Sequence, residues 1–345
     1  MQPQLRPLPQ IAPEPTIPAK KPRFPFPRYP TGWFQVAWSS ELQPGQAKPL
    51  EYFGKHLVLF RTEGGHAKVL DAHCPHMGAH LGHGGVVEGD DVKCPFHWWK
   101  FNGDGACTHI PYAKKIPPRA TLACWPVVER NGLVMVWHDI DKQAPAWEIP
   151  ELPEFSSDEW TPAFYKEWKL RTHNQEMAEN VVDTAHFKYL HGTVNLPASS
   201  VVFDGPNIHM ISPTTMRTPG GLVEGQVESF SRGLGFSTNR FTGLVETLLL
   251  GAVAPIDDEY VHVRFSFTVK KLGGADIMKG VGKAFVAEIS RQLEQDAPVW
   301  EHKIYLERAV LCDGDGPIAR FRKWASQFYP DWYMEEARRA YARAE

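Results

Sequence analysis

The sequence has few of the features that mark membrane, secreted or nucleic-acid-binding proteins. No segment reaches the roughly 18 consecutive apolar residues of a membrane-spanning helix, and the first thirty residues lack the apolar core of a signal peptide. The formal net charge is only -3, and the basic residues are scattered along the chain, which gives no electrostatic reason to expect a polyanion. These absences predict a cytoplasmic protein with no membrane span and no nucleic-acid partner.

Cysteine is also scarce, and its count of five is odd. Two of the five stand beside histidines at the spacing of metal ligands, which favours a reducing compartment and metal binding over a disulfide framework. The other three, Cys107, Cys124 and Cys312, are predicted to be ordinary buried thiols. The chain also lacks a nucleotide fingerprint, since neither a Gly-x-Gly-x-x-Gly turn after a strand nor a P-loop is present.

Proline and glycine divide the chain into an arm and two domains. Ten of the 30 prolines lie in residues 1–30, which predicts an extended arm that either wraps a neighbouring subunit or forms a loose tail. Residues 31–140 contain short β-type runs at 57–60, 68–70 and 133–137 between glycine-rich turns, which predicts an all-β domain. A proline-containing linker over 144–153 then leads into a second domain, residues 141–345.

The second domain mixes helical and strand patterns, so the predicted fold class is α+β. Helical patterns lie around 175–189 and 277–304, and strands between 222 and 270. From Tyr260 to Val269 apolar and polar residues alternate, which predicts an antiparallel sheet with one face buried against helices.

The first candidate metal site consists of two short loops, Cys74-Pro-His76 and Cys94-Pro-Phe-His97. Each loop offers one thiolate and one imidazole. A Rieske [2Fe-2S] centre needs two thiolates on one iron and two imidazoles on the other. Tetrahedral zinc is the alternative, but zinc fingers group their cysteines together and their histidines together.

The second candidate site is the spacing Asn-x₂-Asp-x₂-His-x₄-His, formed by Asn180, Asp183, His186 and His191. Three-residue steps predict that the first three lie on one face of a helix. His191 stands just before a glycine, where the helix is predicted to end and the imidazole can turn toward the same point. The alternative for both histidines is an ordinary hydrogen-bonded position in the core.

Two imidazoles need an anionic ligand, and Asp296 is the candidate. It occupies the apolar stripe of the last long helix pattern, where an unpaired carboxylate is costly. Two histidines and one carboxylate form the facial triad that leaves positions open on Fe(II). A salt bridge from Asp296 to Arg291, Lys303 or another basic side chain is the alternative.

The two motifs together resemble the Rieske non-heme iron oxygenase family, and the resemblance covers about 24–330. Within that family the chain is most similar to the cholesterol 7-desaturases and the 3-ketosteroid 9α-hydroxylase oxygenase components. The segments that carry this likeness are CPFHWWKFNGDGACTHIPYAKKIPPRATLACWPVVERNGLVMVWHD, LEQDAPVWEHKIY and FRKWASQFYPD. The resemblance implies an all-β Rieske domain followed by a catalytic domain of antiparallel sheet and helices, of the helix-grip, START-like kind.

The resemblance also implies roles for single residues. Cys74, His76, Cys94 and His97 match the ligands of the [2Fe-2S] cluster, and His186, His191 and Asp296 match those of a mononuclear Fe(II). Asp183 matches an aspartate that hydrogen-bonds an iron-ligating histidine and, across a subunit boundary, a cluster histidine of the neighbour. Asn180 matches a position close to the iron. The resemblance also implies that the protein forms a homotrimer.

The implied reaction uses O₂ and two external electrons to oxidise an unactivated C–H bond of a sterol- or steroid-like substrate. A ferredoxin or an NAD(P)H-dependent reductase would supply the electrons, and an apolar cavity would hold the substrate. The strands offer apolar residues that could line it, although residues of this kind more often form an ordinary core, namely Phe230, Phe236, Phe241, Leu248, Leu249, Leu250 and Val253. Hydroxylation, desaturation and demethylation remain open, as does a non-steroid substrate. The other classes are a Rieske electron carrier and a zinc protein with a lipid-binding module.

Overall fold

A computed structural model of the chain describes residues 22–194, 198–218, 220–272 and 280–343. Within these residues the amino-terminal half forms strands β1 to β11: Gly32–Trp38, Ala47–Tyr52, Lys55–Arg61, Ala67–Asp71, Val86–Glu88, Asp91–Lys93, Lys100–Phe101, Cys107–His109, Cys124–Trp125, Val127–Arg130 and Leu133–His138. The second half contributes strands β12 to β18: Phe164–Leu170, Ser200–Asp204, Asn207–Thr218, Gly221–Arg232, Phe236–Thr242, Thr247–Pro255 and Val261–Val269. The helices described there are α1 to α5: Asn174–Glu179, Ala185–Tyr189, Val281–His302, Ile318–Ala325 and Asp331–Arg343.

The amino-terminal half is built from three small antiparallel sheets in the described part of the chain. Their strand orders are β1-β11-β10, β2-β3-β4-β9 and β5-β6-β7-β8. The apolar runs predicted at 57–60, 68–70 and 133–137 lie in β3, β4 and β11, which confirms them. Every residue of β11 is buried, as expected of a continuous apolar run that packs on both of its faces.

The second half is organised around one seven-stranded antiparallel sheet, in the order β12-β18-β17-β16-β15-β14-β13. The long helix α3 packs on one face of this sheet, where the rings of Phe285 and Phe241 lie 5.3 Å apart. The predicted helix over 277–304 is confirmed with observed bounds of Val281–His302. The α+β class is confirmed as well. None of the helices formed by the described residues is both long and apolar enough to cross a membrane.

The polar face of β18 is buried too, so the prediction of one buried face is wrong. Ser266 and Arg264 on this face are 1% and 5% exposed. The Trp38 indole donates to Ser266 Oγ at 3.0 Å, and Arg264 donates to the Tyr52 hydroxyl at 2.8 Å. Strands β1 and β2 therefore cover this face. Its polar side chains tolerate burial because they find hydrogen-bond partners in the interface.

The arm was predicted to span residues 1–30, and residues 1–21 of it lie outside the described residues. Its remaining part packs on its own chain, because Phe24 and Phe26 are buried and Phe26 contacts the ring of His173 at 4.6 Å. The linker predicted at 144–153 forms no strand or helix in the described structure up to Leu152. Its Trp147 packs on Trp137, with ring centroids 4.6 Å apart.

The prediction that the three remaining cysteines are all buried is only partly correct. Cys107 is buried, but Cys124 and Cys312 are exposed, so the prediction is wrong for these two. Cys124 opens the two-residue edge strand β9, and Cys312 stands in a surface turn. Neither position has an apolar layer above it.

Replacing Arg264 with methionine should destabilise the protein by about 2 kcal/mol, because Tyr52 and the backbone carbonyl of Gln35 would lose a buried charged donor. Urea denaturation followed by tryptophan fluorescence measures this change. The matched control is Arg339→Met on the exposed face of α5, which should cost less than about 0.5 kcal/mol. Equal effects of the two substitutions would contradict a structural role for the buried guanidinium.

Candidate metal centres

The two Cys/His loops fold in the same way. The first lies between β4 and β5 and the second between β6 and β7. In the first, the Gly78 amide donates to the Cys74 carbonyl at 2.9 Å, and in the second the Trp98 amide donates to the Cys94 carbonyl at 3.1 Å. Both closing residues have positive φ, 77° for Gly78 and 62° for Trp98. A tryptophan held there is strained, since side chains disfavour this region.

The four predicted ligands of these loops lie together. The rings of His76 and His97 have centroids 4.5 Å apart, and Cys74 and Cys94 are both buried. Burial, together with the Cys94 thiol beside it, raises the pKa of Cys74 to about 11, so a thiolate there requires a bound cation. The buried Nδ1 of His76 has no hydrogen-bond partner. Such an unpaired donor set fits a metal cluster.

An aromatic shelf that the spacing did not reveal orients one of these imidazoles. The His76 ring stacks on Trp99 at 4.6 Å and 9°. The Trp99 indole in turn donates to the Tyr112 hydroxyl at 2.8 Å. Contacts of this kind hold ligand rings in place. The sequence signal for this contact was Trp99, the second tryptophan after His97, but a tryptophan at that position is equally typical of an ordinary core.

The helix predicted around 175–189 is broken. Helix α1 ends at Glu179 and α2 begins at Ala185, so Asn180, Asp183 and His186 do not share one helical face, and that prediction is wrong. The Asp183 carboxylate accepts hydrogen bonds from the amides of Ala185 and His186, at 3.2 and 3.4 Å. An aspartate that bonds nearby amides in this way competes with a continuous helix.

His186, His191 and Asp296 nevertheless converge. One possible ligand atom from each of the three side chains lies within 4.8 Å of those of the other two. Among the described residues, this is the group of three or more His, Cys, Asp or Glu side chains whose ligand atoms lie that close together. The Nε2 atom of His191 stands 3.4 Å from Asp296 Oδ1. Helix α2 ends at Tyr189, just before His191 as predicted, and Gly192 follows with a φ of 77°. The donor set suits a mononuclear Fe(II).

Gln295 was not predicted, and it fixes the ring of His191. Its Oε1 lies 3.1 Å from His191 Nδ1 and can accept a hydrogen bond from a proton-bearing Nδ1, which would leave Nε2, the ring nitrogen that faces Asp296, available to bind a metal. Burial lowers the pKa of His191, but the hydrogen bond and charge of Asp296 outweigh burial and raise it.

The predicted alternative partners of Asp296 are engaged elsewhere. Arg291 pairs with Glu288 and Lys303 with Glu176, so neither forms the salt bridge weighed for Asp296. At the other side of the site, His186 Nδ1 lies 3.7 Å from Asp183 Oδ2. The nearby imidazole of His186 is the main reason why the pKa of Asp183 lies below its ordinary value.

Two ion pairs anchor α1 near the site. Glu176 is fully buried, and its Oε2 lies 2.8 Å from Lys303, which directly follows α3. Burial raises the pKa of Glu176 although Lys303 opposes the shift. Glu179 accepts two hydrogen bonds from Arg322 of α4, at 2.7 and 3.0 Å. The chain leading to Asp183 is therefore held against the helix that carries Asp296.

A cavity of about 630 Å³ opens beside the triad, and Asn180, His186, His191 and Asp296 line it. Four of the seven predicted lining residues border it, namely Phe236, Phe241, Leu249 and Val253. Phe230, Leu248 and Leu250 do not border it. Strand alternation turns these three away, and Leu248 and Leu250 pack instead with Trp33 and Trp137.

Replacing Gln295 with leucine should weaken iron binding at the triad about tenfold or more, because His191 Nδ1 would lose its acceptor. Iron retained after dialysis against a graded series of chelator concentrations measures this change. Gln292→Leu, on the same helix and also lining the cavity, is the control and should keep native affinity. Unchanged retention in the Gln295 variant would contradict the orienting role.

Comparison with known proteins adds two family matches. The Rieske [2Fe-2S] domain family matches residues 32–126, and the 3-Ketosteroid 9alpha-hydroxylase C-terminal domain family matches residues 136–329. The second match alone covers more than half of the chain. Together the two matches span both candidate metal centres.

Full-length relatives share both regions. The 3-ketosteroid-9-alpha-monooxygenase oxygenase component of Rhodococcus rhodochrous is 32% identical over 331 residues, which are 88% of this chain and 82% of the relative. Cholesterol 7-desaturase nvd 1 of Ciona intestinalis is 30% identical over 331 residues, 88% of this chain and 70% of the relative.

Solved structures share the fold at low identity. Dicamba monooxygenase bound to dicamba matches 89% of this chain and 98% of its own with a TM-score of 0.70 at 19% identity. NdmA of Pseudomonas putida CBB5 with caffeine matches 90% of this chain and 94% of its own with a TM-score of 0.71 at 19% identity.

Proposed function

Because the chain belongs to the Rieske oxygenase family with a 3-ketosteroid 9α-hydroxylase type C-terminal domain, we propose that it oxidises an unactivated C–H bond of a steroid or sterol-like substrate. It is an oxidoreductase whose cofactors are a Rieske [2Fe-2S] cluster and a mononuclear iron, with dioxygen as co-substrate. The observation that carries the proposal is the convergence of His186, His191 and Asp296 at an apolar cavity of about 630 Å³.

The residues assigned to each centre are part of the proposal. Cys74, His76, Cys94 and His97 hold the cluster, within a Rieske domain over 31–140 that follows the arm over 1–30. His186, His191 and Asp296 hold the iron, within a catalytic domain over 141–345. When bound, the cluster and the iron supply electron storage and dioxygen activation.

The surrounding side chains orient these ligands. Gln295 keeps the proton of His191 on Nδ1, and Asp183 stands beside His186 Nδ1. The apolar wall of the cavity excludes water from the carbon to be oxidised. Asn180 lines the cavity next to the triad, within reach of a molecule bound there.

A steroid-sized substrate fits the cavity by volume and lining, since pockets of roughly 300–1,000 Å³ with apolar walls hold molecules of this size. The names of the relatives, a 3-ketosteroid-9-alpha-monooxygenase and a cholesterol 7-desaturase, support this substrate class. Hydroxylation and desaturation both begin with removal of a hydrogen atom, so either outcome suits the site. A pure electron carrier would need only the first 140 residues or so, and the converging triad favours the oxygenase.

The oxygenase needs an electron-transfer partner, and we assign this role to a ferredoxin or an NAD(P)H-dependent reductase. We also propose a homotrimer in which Asp183 of one subunit approaches a cluster histidine of the next. Two features support it. The side chain of Asp183 is 39% exposed, and large apolar side chains stand exposed around the cluster loops, namely Met77, Phe96 and Trp98. A neighbouring subunit would cover them.

Turnover with cholesterol, 3-ketosteroids and other polycyclic compounds, a surrogate reductase and NAD(P)H tests the function. The proposal expects NAD(P)H-dependent conversion of a steroid, with mass spectrometry showing either one oxygen atom gained or two hydrogen atoms lost. Omitting the reductase is the control. If only non-steroid compounds were converted, the substrate class would be wrong, and if no compound were converted by the iron-loaded protein, the enzymatic function would fail.

Replacing Asp183 with alanine should leave both metal centres loaded and slow electron delivery about tenfold or more, because the carboxylate that would connect His186 to a cluster histidine of the neighbouring subunit is lost. Iron and sulfide analysis checks loading, and stopped-flow absorbance of cluster reoxidation measures the rate. Asp313→Ala at an exposed turn position is the matched control. Native reoxidation in the Asp183 variant would rule out the bridging role.

A further inference from the structure

Polar side chains stand among the apolar residues that line the cavity, and four of them form a patch on β15 and β16. It consists of Ser229, Ser231, Ser237 and Asn239, all of which line the cavity. In the register of β15 and β16, Ser229 stands opposite Asn239 and Ser231 opposite Ser237. The four side chains therefore point to one face of the sheet and form a continuous patch.

Asn239 is the member of the patch with an unused hydrogen-bond donor. The Ser229 hydroxyl donates to Asn239 Oδ1 at 2.6 Å and thereby directs the amide. The Nδ2 group has no hydrogen-bond partner among the residues that the structure describes. Ser237 differs, because its hydroxyl donates to the Gly251 carbonyl at 3.2 Å. Asn239 is partly exposed and lines the cavity, so this donor is available to an acceptor on a molecule bound there.

The patch lies away from the triad along α3. Asn239 stands opposite Leu249 on β17, and Leu249 belongs to the same apolar cluster as Ile289 of α3. Ile289 precedes Asp296 by about two helical turns, roughly 10 Å. A substrate oxygen bound at Asn239 would thus lie at the end of the molecule that is remote from the triad.

The charge of the lining limits the class of molecule. Among the described lining residues there is no lysine or arginine, so the cavity offers no cationic side chain of that kind to a carboxylate, and a neutral oxygen is the fitting acceptor for the amide. Beside the patch, Gly251 has no room for a side chain, because a Cβ there would come within 2.9 Å of Ser237 Oγ and 3.5 Å of the Phe265 ring.

We propose that Asn239, directed by Ser229, donates a hydrogen bond to a carbonyl or hydroxyl oxygen at the remote end of a neutral polycyclic substrate. This contact fixes how far the ring system reaches along the cavity and so which C–H bond faces the triad. Asn239 is in this sense a specificity-determining residue. The inference rests on the proposed function, since it assigns a subsite within the same cavity.

A comparison of two ligands tests the subsite. Binding of androstane-3,17-dione and of androstane, which lacks both oxygens, is measured on the metal-loaded protein by equilibrium partition from a cyclodextrin carrier. In Asn239→Leu the affinity for the dione should fall roughly tenfold, because its oxygen loses the amide donor. The affinity for androstane should stay the same or rise, which also shows that the cavity is intact.

Gln43→Leu, an amide-to-leucine change at an exposed turn position outside the cavity lining, is the control and should alter neither affinity by more than about twofold. Ser229→Ala gives a second reading without removing the amide. This variant should lower the affinity for the dione but not for androstane. The loss should be smaller than in Asn239→Leu, because the amide remains but is no longer oriented by Ser229. The product pattern of each variant is recorded in the same preparations, and Asn239→Leu should give more positional isomers.

The outcomes separate the two levels of the proposal. If the native protein binds the dione and Asn239→Leu binds it equally well, or weakens both ligands alike, the Asn239 subsite is wrong while a steroid cavity stands. If the native protein binds neither ligand, the steroid substrate class fails, and the subsite fails with it.

Discussion

The site depends on one constraint, the burial of a carboxylate in the apolar face of a helix. Asp296 is 7% exposed, and no lysine or arginine among the described residues forms a salt bridge with it; its partner is the imidazole of His191, 3.4 Å away. A buried carboxylate without a cation is costly. The proposed divalent metal between Asp296 and the two imidazoles would offset this cost, and it would explain why an aspartate occupies a position that packing alone would give to leucine.

The surrounding fold keeps the three ligands at this position although they come from separate elements. Helix α3 brings Asp296 across the sheet, and the break between α1 and α2 turns His186 and His191 toward it. The pairs Glu176–Lys303 and Glu179–Arg322 hold α1 against the end of α3 and against α4. The same sheet supplies the cavity floor on one face and the contact with the amino-terminal half on the other, so the buried polar face of β18 belongs to the architecture of the site.

Features with a local cause could be predicted from the sequence. The Cys/His loops, the histidine pair, the amphipathic stripe of α3 and the strand runs each depend on residues a few positions apart, and the structure brings the corresponding residues together. Features with a tertiary cause could not. The helix breaks at Asp183 because its carboxylate bonds local amides, Gln295 reaches His191 only after folding, and Arg264 becomes buried because β1 and β2 cover it. Composition could not separate Leu249, which lines the cavity, from Leu248 and Leu250, which lie in the core, since only the register decides which strand residues face the cavity.

The most direct test of the central claim is the binding of nitric oxide to ferrous iron at the triad, followed by EPR of the anaerobic, reduced protein. The account predicts a high-spin iron–nitrosyl signal in the native protein and in Glu294→Leu, an exposed position of the same helix. In Asp296→Leu that signal should disappear while the signal of the reduced [2Fe-2S] cluster keeps its native intensity. A nitrosyl signal of full intensity in Asp296→Leu would contradict the account.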